Sequence, residues 1–125
     1  MKKIITSKSA PLPIGPYSHG VLVNNMLFVS GQVGKKATGE MVLSDIKAET
    51  SQVMENIGAI LKDDGMDYSD IVKTTIFMKD MNNFTAMNET YGSFFSGNYP
   101  ARETVQVSRL PLDVNVEISV IAIKS

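Results

Sequence analysis

Two ionisable residues stand out for what surrounds them. Arg102 follows Pro100-Ala101 at the entry to a predicted strand, where proline limits the backbone. A guanidinium fixed there can clamp a carboxylate bidentately with a permanent charge. Taken alone, an ion pair with the adjacent Glu103 is the commoner fate of such an arginine. Glu117 interrupts the apolar run from Val114 to Ile123. A carboxylate in that setting is desolvated, its pKa rises, and it can relay a proton or position a water. The competing reading is plain strand alternation, and the mixed same-face residues Ser119, Ile121 and Ile123 favour it slightly. Arg102 with Glu117 would make a small polar site for an anionic substrate and a water, although nothing local shows that they meet.

Hydroxyls and backbone groups form a second set. Gly15-Pro16-Tyr17-Ser18 reads as a tight turn and Ser30-Gly31-Gln32 as the end of a hairpin strand. Both can present polar groups to a ligand, and turn chemistry alone also accounts for them. His19, the single histidine, sits beside Gly20 with no partner carboxylate in sequence and is expected to be an exposed polar residue rather than a base. Gly31 to Lys36 lacks the spacing of a phosphate loop, and Asp63, Asp64, Asp67 and Asp70 lack that of a calcium loop.

The composition narrows the chemistry further. The chain has 125 residues, no cysteine and a formal net charge of −1. A cysteine nucleophile, a thiolate zinc site and a multi-histidine metal site within one chain are excluded, so any chemistry must use carboxylates, hydroxyls, arginine or lysine, and backbone groups. The near-neutral charge leaves no footprint for a nucleic-acid backbone. The apolar runs are too short for a membrane span, and Met1 to Ile5 turns polar by Thr6, unlike a signal peptide. A cytoplasmic location is expected.

The elements that must position these residues are legible in outline. Residues 1–125 read as one domain without repeats or linkers. Val21 to Val29 reads as a hairpin turning at Asn24-Asn25. Ser44 or Asp45 is a helix cap, Ile46 to Leu61 recurs at helical spacing, and Gly65 is a stop. Ile71 to Met78 reads as a strand with Val72, Ile76 and Met78 on one face. A second helix after Asp80 carries Phe84, Met87, Tyr91, Phe94 and Phe95 in one stripe. Glu103 to Ser108 and Val114 to Ile123 close the chain as strands. Two helices cover one face of such a sheet, yet both faces carry apolar residues. A homo-oligomer is therefore expected.

Taken together, Ile14-Gly15-Pro16-Tyr17-Ser18, Ser30-Gly31-Gln32, Gly39-Glu40, Asp70 to Thr75, Met87 to Tyr91, Pro100-Ala101-Arg102, Arg109-Leu110-Pro111 and Val116-Glu117-Ile118 resemble the RidA/YjgF family of reactive-intermediate (enamine/imine) deaminases. The resemblance implies a chorismate-mutase-like α+β fold, with two helices on one face of the sheet. It also implies a trimer with an inner β-barrel and clefts between subunits. It implies hydrolysis of 2-imino or 2-amino-2-enoic acids, released by pyridoxal-phosphate dehydratases, to 2-oxo acids and ammonia without a cofactor. By position, Arg102 would bind the substrate carboxylate and Glu117 would hold the attacking water. Tyr17, Ser30, Gly31 and Asn88 would line the pocket, with backbone groups of Thr104 beside the substrate. Thr104 stands where many relatives have cysteine, Glu103 where a small or apolar residue is usual, and Ser119 where an acidic residue is common. His19 and the Val33-Gly34-Lys35 loop also depart from frequent choices. The alternatives are a metabolite-binding, regulatory or chaperone-like protein of the same fold, and an RNA-cleaving activity, which the charge fits poorly.

Overall fold

The computed structural model describes all 125 residues. Strands β1 (Lys2–Ile5), β2 (Gly20–Val23) and β3 (Met26–Gln32) come first, then helix α1 (Ile46–Asp63) and strand β4 (Ile71–Met78). Helix α2 (Phe84–Gly92), strand β5 (Ala101–Gln106) and strand β6 (Val116–Ile123) complete the order. The strands form one sheet in the order β1-β2-β3-β6-β4-β5, in which only β4 and β5 run parallel. That pair needs a crossover, and α2 supplies it. This is the expected α+β architecture.

Local chemistry explains the boundaries. The β2–β3 turn places Asn24 at φ 55°, which asparagine tolerates. Asp45 caps α1 by accepting a hydrogen bond from Ala48 N at 2.8 Å, and Gly65 ends it at φ 73°. Asp80 caps a short 3₁₀ turn over Met81–Asn83 that leads into α2. The α2 helix stops at Gly92, so Phe94 and Phe95 lie beyond it, packed against Tyr68 and Tyr91 with ring centroids 5.3 and 4.9 Å apart.

Alternation decides which side of the sheet is core. Leu27, Val29, Ile76, Met78, Val116, Ile118, Val120 and Ala122 are buried with Val53, Met54, Ile57 and Ile60 of α1. The opposite face carries Met26, Phe28, Val105 and Ile123, all exposed. Both expected apolar faces are present, one on the helices and one open.

Three expectations need correction, and one strand was not anticipated. Val72 is exposed and Ile71 buried, because the β4–β6 register shifts between Ile71 and Lys73 and reverses the alternation there. Lys2–Ile5 form the unanticipated β1, an edge strand whose only buried side chain is Ile5. The fifth strand spans Ala101–Gln106 rather than Glu103 to Ser108, with Arg102 as its second residue, and the last strand begins only at Val116. His19 is 1% exposed. Its Nδ1 accepts from Ser7 N at 2.9 Å and its Nε2 donates to Pro11 O at 2.6 Å. It thereby ties the N-terminal loop to the sheet, and both ring nitrogens are occupied.

Candidate active site

Arg102 and Glu117 do not meet within one chain. Arg102 pairs in register with the buried Thr74, on the helix side of the sheet. Glu117 pairs with Phe77 and alternates with buried Val116 and Ile118, so it stands on the open side. The predicted residues fall into two partial sites on opposite faces.

The first is built by α2 and β5. Phe84, Asn88 and Tyr91 recur at i, i+4 and i+7, so one helical face presents all three to the strand. Arg102 Nη1 donates to Asn88 Oδ1 at 2.7 Å. The guanidinium carbon lies 5.1 Å from the Tyr91 ring centroid and 5.7 Å from that of Phe84. Cation–π attraction and one hydrogen bond thus aim the guanidinium. Tyr91 OH donates to Thr74 Oγ1 at 2.9 Å, which pins the ring. Burial pushes the Tyr91 phenol above its usual value, against the opposing pull of Thr74 and of the Arg102 charge. Beside it opens a cleft of about 400 Å³ lined by Asn88, Tyr91, Tyr99, Pro100 and Arg102. The arginine still has donors to offer an anion there. Glu103 points away and pairs with Lys73 at 3.1 Å, so the ion pair considered for Arg102 does not form. Thr104, on the Arg102 side, buries a hydroxyl that has no hydrogen-bond partner.

The second is built by β3, β6 and two loops. The β3–β6 register shifts between Val29 and Gln32, so Ser30 and Gly31 sit in a bulge. Gly31 leaves room there for the carboxylate: a Cβ would lie 2.5 Å from Glu117 Oε2 and would displace it. Ser30 Oγ donates to Ser18 O at 2.5 Å, joining the Tyr17 turn to the bulge. Tyr17 OH accepts from Ile14 N at 3.4 Å. Ile14, Tyr17, Ser30, Gly31, Val33, Pro111, Leu112 and Glu117 enclose a cleft of about 330 Å³. Burial raises the Glu117 carboxyl above its ordinary value. The cleft thus pairs a proton acceptor with a largely apolar wall.

The largest hollow, about 670 Å³, lies elsewhere, between Tyr68 and Phe94–Asn98. Its one carboxylate, Asp67, already accepts from Ser69 N and Oγ, which holds it below the usual range. No group of three or more histidine, cysteine, aspartate or glutamate side chains is arranged to hold a metal ion. No helix is long and apolar enough to cross a membrane.

Sequence reasoning missed four contributors. Tyr91 and Phe84 read as helix core, although their spacing from Asn88 already placed all three on one face. Leu112 gave no signal, since its role depends on a turn. Glu49 fell inside a helix and was passed over. It is fully buried and accepts from Asn115 N, Asn115 Nδ2 and Val116 N at 2.8, 2.8 and 3.2 Å, fixing the start of the strand that carries Glu117.

A six-stranded sheet with both helices on one face and a partial site on either side defines a small α+β protein. The family model described as Endoribonuclease L-PSP matches residues 7–124, and the chain belongs to this YjgF/RidA family. It is 50% identical to a RutC family protein of Pyrococcus horikoshii over 99% of both chains. It is 42% identical to the mouse 2-iminobutanoate/2-iminopropanoate deaminase, over 99% of this chain and 93% of that one. Among solved structures, Escherichia coli TdcF with bound serine superposes with a TM-score of 0.94 at 42% identity, covering 98% of this chain and 99% of the other.

Proposed function

We propose that this protein hydrolyses 2-imino and 2-amino-2-enoic acids, such as 2-iminobutanoate and 2-iminopropanoate, to 2-oxo acids and ammonia. The observation that carries the reading is the complementarity of the two clefts. One holds an aimed guanidinium and no base, the other a desolvated carboxylate and no cation. A second copy that brings the Arg102 cleft of one chain against the Glu117 cleft of another completes the site. The exposed apolar sheet face supports such an assembly, and we propose a homotrimer with these faces lining an inner barrel.

In that site Arg102 binds the substrate carboxylate and Asn88 steadies the arginine. Tyr17, Ser30 and Gly31 line the pocket with backbone groups of Thr104. Glu117 holds the water. The water oxygen bonds to C2 of the iminium and gives one proton to Glu117, which passes it to the nitrogen. The remaining hydroxyl then loses its proton to Glu117 as the C–N bond breaks, so that C2=O forms and ammonia leaves. The iminium carbon is already electrophilic, so orientation and a proton relay suffice, and orientation alone can contribute about 7 kcal/mol. The names of relatives at about 40% identity support this chemistry.

The description of the family model also raises RNA cleavage. It has less support, because the one histidine is occupied on both nitrogens and the net charge is −1. The test is a coupled assay in which threonine dehydratase generates 2-iminobutanoate. Wild-type protein is expected to speed its loss, and Arg102→Ala to lose at least ~10²-fold in kcat/KM, since a charge-assisted clamp is removed. An undiminished rate in Arg102→Ala refutes the arginine assignment. Saturable 2-oxo acid binding without turnover would instead mark a metabolite-binding protein.

A further inference from the structure

The turn before β6 holds two consecutive non-glycine residues at positive φ, Leu112 at 59° and Asp113 at 54°. Aspartate tolerates that region. For leucine the Cβ crowds the following carbonyl, and the conformation is seldom adopted. Strain of this kind persists only where the surroundings over-determine it.

Here they do. Leu110 and Val114 are buried on either side as anchors. Asp113 N donates to Leu110 O at 3.0 Å. Arg109 Nε and Nη2 donate to Asp113 Oδ1 and Oδ2 at 2.7 and 3.2 Å, a two-point clasp. The clasp explains Arg109 and Asp113 but not the leucine between them. Leu112 is 48% exposed and takes no part in the hydrophobic core. Its side chain instead stands on the wall of the Glu117 cleft with Ile14, Val33 and Pro111. Within one chain, a strained backbone that displays an unburied apolar side chain beside a carboxylate has no packing rationale. A ligand contact supplies one.

We propose that Leu112 is a specificity-determining residue. Held out by the clasped turn, it forms with Ile14, Val33 and Pro111 an apolar wall for the substrate side chain. The site thereby favours 2-imino acids with aliphatic side chains of the leucine type over those of the alanine type, and the negative Glu117 nearby disfavours acidic ones. This inference rests on the deaminase reading.

Leu112→Gly tests it without risking the fold, because glycine adopts positive φ freely and melting temperature is expected to hold or rise. Imines are generated in place by an L-amino-acid oxidase from leucine or from alanine. Wild type is expected to prefer the leucine-derived imine. The variant is expected to lose about tenfold in kcat/KM on it and less than about twofold on the alanine-derived one. Leu112→Asn, also at ease at positive φ, should behave likewise. A preference that survives both substitutions, or no preference in wild type, overturns the wall. A wild-type chain that hydrolyses neither imine overturns the deaminase reading instead. The wall is then judged by calorimetry with 4-methyl-2-oxopentanoate and pyruvate. Tighter binding of the former that Leu112→Gly removes supports it, and equal affinity overturns it.

Discussion

Glu117 has buried neighbours before and after it and a glycine against its carboxylate. Burial raises its pKa from the ordinary 4.5. The folded chain then binds this proton more tightly than the unfolded chain, so stability falls as pH climbs from the ordinary value through the raised one. Glu117→Gln removes that dependence. The variant is expected to match wild type in acid and to be the more stable of the two at about pH 7, read as melting temperature against pH. The same proton governs catalysis in the proposed mechanism. The acid limb of kcat/KM should lie above the ordinary carboxylate range, and Glu117→Gln should lower the plateau by about 10²-fold. A full rate in that variant would remove Glu117 from the chemistry.

Elements place these side chains, and each is held by a contact distant in sequence. The first residues of β6 hang on the buried Glu49 of α1 through three hydrogen bonds. Gly34 permits it, since a Cβ there would lie 2.6 Å from Glu49 Cγ. Glu49→Ala leaves the half-buried N–H of Asn115 and the buried N–H of Val116 without this acceptor, and a loss of about 3 kcal/mol is expected in denaturant unfolding. Glu49→Gln keeps one acceptor oxygen and should lose less. Equal stability of Glu49→Ala and wild type would show that water replaces the carboxylate. On the same side of the sheet, α2 and β5 are joined in a similar way, through Asn88 and Arg102.

For the whole molecule, the consequence is that neither face carries a complete site. If the clefts are completed between copies, two individually inactive variants should rescue one another. Arg102→Ala keeps the Glu117 cleft, and Glu117→Gln keeps the Arg102 cleft. Random mixing in a cyclic assembly leaves about one site in four with both groups intact, so co-refolded equal amounts should recover about a quarter of wild-type activity. Recovery no greater than the sum of the separate variants would place both groups in one chain's site.

Much of this was legible in the residues. The helix over Ile46 to Leu61, the strand over Ile71 to Met78 and the two-faced sheet follow from spacing, caps and alternation, which are local and periodic. Arg102 and Glu117 were marked by proline and by an interrupted apolar run, and the motifs carried the family. What folding alone decided is where these groups stand. A single-residue bulge sends Val72 outward, and the registers of β5 and β6 on either side of β4 put Arg102 and Glu117 on opposite faces. Two engaged nitrogens turn His19 from a surface residue into a buried clamp. Leu112 acquires a role only through its clasped turn. Register, burial and pairing depend on which distant backbones meet, and no local pattern encodes that.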